Sequence, residues 1–313
     1  MTGIQSPLTP FLAEQRFVVL DGGLATELER RGHDLRDPLW SARILVERPD
    51  AIRGVHLDYF QAGADIAVTA SYQASFEGLA ARGMGASAAE AVLTRSVTLA
   101  REARDQFWSE CNDPRRRAPL VAASIGPYGA VMGDGSEYTG TYPVSDRQLR
   151  AFHAARLDVL VAAGPDLLAC ETIPSRREAE VLADLLEQRG DLPAWISFSG
   201  QDATTIADGT PFADLVRSLG QAGPVVAIGL NCTAPHLIAP LLQSGGDAGE
   251  KPLVVYPNGG SIWDARTKTW SGEESVESIP GLVDRWYDLG ARVIGGCCRT
   301  TPDTIRRIRE RLN

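Results

Sequence analysis

A single (β/α)8 barrel of the TIM type, one α/β domain over residues 1–313, is the fold that the sequence predicts, and three observations predict it. Eight short apolar runs recur along the 313 residues. Segments with apolar residues at helical spacing alternate with them. The runs are continuously apolar rather than alternating, which is how strands read when a parallel sheet is covered on both faces. Eight such units in this length suit a closed barrel. An open doubly wound sheet is the alternative, but no G-x-G-x-x-G follows the first strand, and Asp21-Gly22-Gly23 is a poor substitute. No internal linker, repeat or low-complexity block divides the chain.

Each predicted strand stops at a polar or glycine-rich segment. The first, 17–20, ends in Asp21-Gly22-Gly23, and the second, 64–70, runs into Ser71-Tyr72-Gln73. The third, 120–125, meets Gly126-Pro127-Tyr128-Gly129; the fourth, 166–170, meets Glu171-Thr172. The fifth, 194–198, ends in Ser199-Gly200, the sixth, 225–230, in Asn231-Cys232, and the seventh, 253–256, in Pro257-Asn258-Gly259-Gly260. The eighth, 293–294, meets Gly295-Gly296-Cys297-Cys298. Helices are predicted between and after them over 49–62, 86–108, 146–163, 175–189, 211–219, 234–242, 275–289 and 302–312.

Composition excludes several function classes. The formal net charge is -9, and basic residues are scattered apart from Arg115-Arg116-Arg117, which reads as a solvated loop, so nucleic acid is not an expected partner. No apolar stretch approaches the roughly 20 residues of a membrane span, and the first residues lack the pattern of a secretory signal. A cytoplasmic protein is expected. Five cysteines are too few and odd in number for a disulfide framework.

Barrel enzymes build their sites on the loops at the C-terminal ends of the strands. Cys232, Cys297 and Cys298 stand at two such ends, where convergent thiolates suit a soft metal, above all zinc, with a fourth position open. The spacing is not a short-loop zinc pattern, and buried inert cysteines or a redox pair also fit it. Asp21 and Glu171 flank the same mouth. They read as an acid/base pair, as a helix cap beside a structural glutamate, or as a holder for the ammonium of an amino-acid substrate. Cys170, next to Glu171 in a strand, should face the other way. His236 follows Cys232 by four residues but reads as a surface residue.

The segments Asp21-Gly22-Gly23-Leu24-Ala25-Thr26-Glu27-Leu28, Gly229-Leu230-Asn231-Cys232 and Gly295-Gly296-Cys297-Cys298-Arg299-Thr300-Thr301-Pro302 resemble the zinc-dependent homocysteine S-methyltransferase family. Ala70-Ser71-Tyr72-Gln73-Ala74, Ser124-Ile125-Gly126-Pro127-Tyr128-Gly129-Ala130, Asp134-Gly135-Ser136-Glu137-Tyr138, Glu171-Thr172 and Val255-Tyr256-Pro257-Asn258 match in order, so the resemblance covers nearly the whole chain. It implies a barrel in which Cys232, Cys297 and Cys298 bind one Zn2+, and the homocysteine thiolate completes the tetrahedron. It further implies that Asp21 and Glu171 hold the amino-acid part of homocysteine near the Gly22-Gly23 turn, with Asn231 and Tyr72 as further substrate-binding residues.

The chemistry suits those residue types. A free thiol has a pKa near ~8.5 and is only a few per cent ionised at neutral pH, whereas a metal-coordinated thiol is deprotonated outright. The donor must release its methyl from a good leaving group, and a sulfonium leaves as a neutral thioether. In-line displacement then requires positioning. Tyr72, Tyr128, Tyr138 and Trp263 are candidates to stabilise the sulfonium by cation–π attraction. Segments 70–74 and 134–138 resemble the S-methylmethionine branch rather than the betaine branch, with S-adenosylmethionine as a slower alternative donor and seleno-analogues as further acceptors. The competing reading is a small-ligand-binding or hydrolytic barrel that uses Asp21 and Glu171 without zinc.

Overall fold

The computed structural model describes residues 4–35, 41–190, 192–246, 251–260, 262–264, 269–271 and 275–312, with 262–264 and 269–271 described by backbone only. Eight parallel strands form a nearly closed barrel: β1 (Val18–Val19), β2 (Ile66–Val68), β3 (Leu120–Ile125), β4 (Leu167–Ile173), β5 (Ala194–Phe198), β6 (Val225–Asn231), β7 (Leu253–Tyr256) and β10 (Ala291–Ile294). β8 (Ile262–Asp264) and β9 (Thr269–Ser271) form a separate antiparallel hairpin after β7. Sequence order is spatial order around the ring, with β10 between β7 and β1. The seam between β1 and β2 is held by the Leu20–Ile66 bridge and by the Asp65 N–H donating to the Val19 carbonyl at 2.7 Å.

Side chains alternate along each strand between two cores. Val18, Leu20, Ile66, Ala122, Ala169, Trp195, Ala227, Val254 and Val293 fill the barrel interior together with Leu8 and Phe11 from the N-terminal segment. Their neighbours Val19, Val121, Cys170, Ile196, Ile228 and Val255 pack outward against the helices. The predicted helices are present: Pro49–Ala62 coincides with its predicted span, while Ala86–Glu110 and Arg176–Arg189 are shifted at one end. The region predicted as a helix over 275–289 is a 3-10 turn, Val276–Ser278, followed by Ile279–Asp288. Short helices Thr9–Leu12, Ser41–Glu47, Phe76–Ala80 and Tyr128–Met132 carry too few residues to display a period.

Three expectations need correction. β4 runs past Cys170 to Ile173, because the ladder resumes at Ile173, paired with Phe198, after a register slip at Glu171 and the left-handed Thr172. The paired parts of β1 and β2 are shorter than expected, because side chains complete the seam: Asp65 Oδ2 accepts the Val19 N–H at 3.0 Å and Asp21 Oδ2 the Val68 N–H at 2.9 Å. Arg116 is not solvated. It donates to the Ala64 carbonyl at 2.7 Å, lies over the Phe107 ring and faces Asp65, while Arg115 is exposed as expected. Among the described residues, no helix is long and apolar enough to cross a membrane.

Candidate metal and substrate centre

β6 and β10 lie on either side of β7, so the residues that leave their C-terminal ends are brought within one strand of each other. The three sulfurs of Cys232, Cys297 and Cys298 all fall within 4.8 Å of one another. Cys232 and Cys298 are 3.8 Å apart. The loop after β7 holds both sides in place. Cys232 donates its N–H to the Tyr256 carbonyl at 3.1 Å and accepts from the Asn258 side-chain amide at 3.2 Å. Cys297 N–H donates to the Pro257 carbonyl, and the Gly259 N–H to the Cys298 carbonyl, both at 2.8 Å.

The loop after β1 supports the cysteine pair from the other side. Gly296 N–H donates to the Asp21 carbonyl at 3.0 Å. A side chain at Gly23 would put its Cβ 2.6 Å from the Cys297 carbonyl oxygen, so this approach requires glycine. Thr300 Oγ1 donates to that same carbonyl at 2.6 Å and accepts the Gly23 N–H at 3.1 Å. The buried Tyr59 hydroxyl faces the Gly23 and Thr300 carbonyls at 3.1 and 3.2 Å. Three residues other than glycine have left-handed backbone among those described: Thr172, Cys232 and Arg299, all at this mouth. Such strain persists where surrounding contacts over-determine it.

A cavity of about 320 Å³ opens over the sulfurs. Its lining includes Asp21, Glu29, Glu137 and Glu171, and none of the described lining residues is Lys, Arg or His. This wall favours a cationic guest. Burial pushes Glu171 and Glu137 each up to about 7. Burial, with the Glu171 charge adding to it and the Val68 N–H opposing it, holds Asp21 well above the usual carboxylate range. Ser124 Oγ donates to Glu171 Oε1. Among the thiols, hydrogen bonds from Cys297 and Cys298 hold Cys232 well below its ordinary value, and bonding to Cys232 holds those two well above theirs.

Asp21, Gly22, Gly23, Glu171, Tyr72 and the three cysteines line this cavity. Asp21 does not cap the helix Leu24–Arg30, whose N-cap is Gly23. Asn231 requires correction as a substrate contact. It is fully buried and off the cavity wall, and its Oδ1 accepts from the Thr172 N–H at 2.7 Å and Ser197 Oγ at 2.9 Å while its Nδ2 donates to Thr172 Oγ1 at 2.7 Å. Asn231 thus holds the left-handed Thr172 in place. Tyr128 also turns away, packing against Tyr142 and Phe152, whereas Tyr138 reaches the site with its hydroxyl 3.4 Å from Cys232 Sγ. The side chain of Trp263 lies outside the described residues. Cys170 faces the helices, and His236 is exposed.

Sequence reasoning missed Glu137, Asn258, Tyr59 and Thr300 as parts of the site. Glu137 stands inside a quoted motif, but nothing local distinguishes a lining carboxylate from a solvated one.

The donor set fits zinc. A Zn–S bond of about 2.3 Å at the tetrahedral angle separates ligand sulfurs by about 3.8 Å, and three protein ligands leave one position for a substrate. The observed Cys232–Cys298 separation of 3.8 Å agrees with that edge.

Comparison with known proteins gives a consistent result. Residues 18–312 match the homocysteine S-methyltransferase family. The chain is 49% identical over 304 residues to homocysteine S-methyltransferase YbgG of Bacillus subtilis, covering 97% of this chain and 96% of that protein. It is 43% identical over 307 residues to a selenocysteine Se-methyltransferase of Brassica oleracea, covering 95% and 89%. The metallated form of the Escherichia coli homocysteine methyltransferase MmuM superposes with a TM-score of 0.88 at 45% identity, covering 98% of this chain and all of that one.

Proposed function

Since the chain belongs to the homocysteine S-methyltransferase family and so transfers a methyl group to homocysteine to give methionine, we propose that it does this on one zinc ion held by Cys232, Cys297 and Cys298. The observation that carries this reading is the convergence of those three sulfurs within 4.8 Å at the open end of a barrel. Zinc, when bound, supplies the homocysteine thiolate at neutral pH and leaves it nucleophilic.

The chain's own residues supply binding and alignment. Asp21 and Glu171 take the ammonium group of homocysteine beside the Gly22-Gly23 turn, and that salt bridge replaces the hydration both carboxylates lose on burial. Tyr72 covers the substrate from the β2 side. The acidic wall without a basic lining residue supports a cationic donor, S-methylmethionine first and S-adenosylmethionine second. Displacement then needs the methyl carbon in line between the incoming and departing sulfurs, with no proton transferred at carbon. The likeness to a selenocysteine Se-methyltransferase supports a selenol as an alternative acceptor. All five cysteines are unpaired, which suits a cytoplasmic enzyme.

A methyl-transfer assay with homocysteine against S-methylmethionine, S-adenosylmethionine and betaine, run with zinc analysis, tests the proposal. Methionine should form from the sulfonium donors and with about one zinc per chain. Turnover by zinc-free protein, or transfer from betaine alone, would overturn it.

A further inference from the structure

Of the four carboxylates that line the cavity, Glu29 is exposed and the bonding states of the other three differ. Asp21 Oδ2 is engaged by the Val68 N–H and Glu171 Oε1 by Ser124 Oγ. Glu137 is only 7% exposed, yet its Oε2 is buried and has no hydrogen-bond partner. A buried carboxylate oxygen without a donor is costly, and a charge-assisted hydrogen bond from a ligand recovers that cost.

The backbone fixes where this carboxylate stands. Gly129 lets the helix Tyr128–Met132 lie directly on the 3-10 turn Ser136–Tyr138, since a Cβ there would meet the Glu137 nitrogen at 2.5 Å. Ser199 Oγ donates to the Glu137 carbonyl at 3.4 Å. The next residue, Tyr138, brings its hydroxyl to 3.4 Å from Cys232 Sγ. Glu137 therefore lines the cavity beside the sulfurs but leaves from the β3–β4 connection, whereas Asp21 follows β1 and Glu171 lies in β4.

Resting on the reading that this mouth takes homocysteine and a sulfonium amino acid, we infer that Glu137 binds the α-ammonium group of the methyl donor. A sulfonium carries no N–H, so it cannot satisfy Oε2; the aromatic side chains of Tyr72 and Tyr138, in the same wall, suit it instead. An ammonium carries three donors. Glu137 is thus a specificity-determining residue that separates amino-acid sulfonium donors from those lacking an amino group.

The test is Glu137→Gln, which keeps the shape and removes the charge. Equilibrium dialysis of S-methylmethionine and of (3-carboxypropyl)dimethylsulfonium, the same skeleton without the amino group, is paired with steady-state kinetics and zinc content. S-methylmethionine should bind roughly tenfold or more weaker to the variant, with its KM raised in step. Affinity for the amine-free sulfonium, the homocysteine KM and zinc content should stay as in the wild type.

Unchanged S-methylmethionine binding overturns the assignment, as does an equal loss for both sulfonium compounds or a loss of homocysteine binding instead. A variant that loses zinc and homocysteine together shows a packing role and overturns it too. Wild-type protein that neither binds nor uses S-methylmethionine overturns the donor reading and this assignment with it. Wild-type turnover beside an unaffected variant overturns the assignment alone.

Discussion

The side-chain amide of Asn258 donates to the carbonyl of Cys232 at 3.2 Å, while its Oδ1 accepts the Gly260 N–H at 2.9 Å. One side chain thereby fixes the left-handed backbone of a proposed metal ligand to the loop that also bonds Cys297 and Cys298.

Removing that brace should loosen the site without emptying it. Asn258→Ala is expected to lower zinc affinity about 10–100-fold, the usual cost of losing a group that orients a ligand. Competition against a chelator measures this. Wild-type affinity in the variant would show that backbone bonds alone hold Cys232.

Replacing a ligand should have a larger effect on metal and a smaller one on the fold. Cys298→Ala is expected to abolish methyl transfer and strip most of the zinc, with the melting temperature of the metal-free form moved by only a few degrees, about 1 kcal/mol or less. Cys298 is half-buried at the mouth and absent from both cores. A fully active, zinc-loaded variant would remove Cys298 from the ligand set.

Asp21 has two jobs that different substitutions separate. An asparagine at this position keeps an oxygen for the Val68 N–H, so Asp21→Asn should weaken homocysteine binding about tenfold while preserving zinc and stability. Asp21→Ala leaves that N–H unpaired and should also destabilise the seam by about 1–3 kcal/mol. Calorimetry with homocysteine and urea unfolding read the two effects. Equal loss of zinc and homocysteine in Asp21→Asn would make the residue structural only.

Glu171 should make stability depend on pH in a defined direction. Burial raises its folded pKa from 4.5 to about 7, so between those values the folded protein holds a proton that the unfolded chain has released. Its contribution therefore falls as pH rises through that window, with a limiting slope of about 1.4 kcal/mol per unit. In the metal-free protein, Glu171→Gln should gain stability relative to the wild type on going from pH 5 to pH 8. Urea unfolding at the two pH values checks it, and a relative loss at pH 8 would show that Glu171 is stabilised as an anion.

Most of the barrel was legible because strand and helix periods are local. Runs such as 120–125 and 194–198 coincide with β3 and β5 to the residue. The seam was not legible, since the apolar runs 17–20 and 64–70 are longer than β1 and β2, and Asp21 and Asp65 take up backbone N–H groups there with side-chain oxygens that no period reveals. Within the site, the cysteines and Asp21 stand at visible strand ends. Asn231 shares that position but spends its amide on Thr172, and no motif distinguishes those roles.

The sequence by itself determined eight strands, their order and the polar residues at their ends, because each depends on residues adjacent in the chain. Only the tertiary structure decided that Cys232 meets Cys298, that Asn258 and Thr300 brace them, and that Glu137 is buried with a vacant oxygen. The Cys232–Cys298, Cys232–Asn258 and Gly23–Thr300 relations link residues 66, 26 and 277 positions apart, and they exist only once ring closure brings separate strand ends to one mouth.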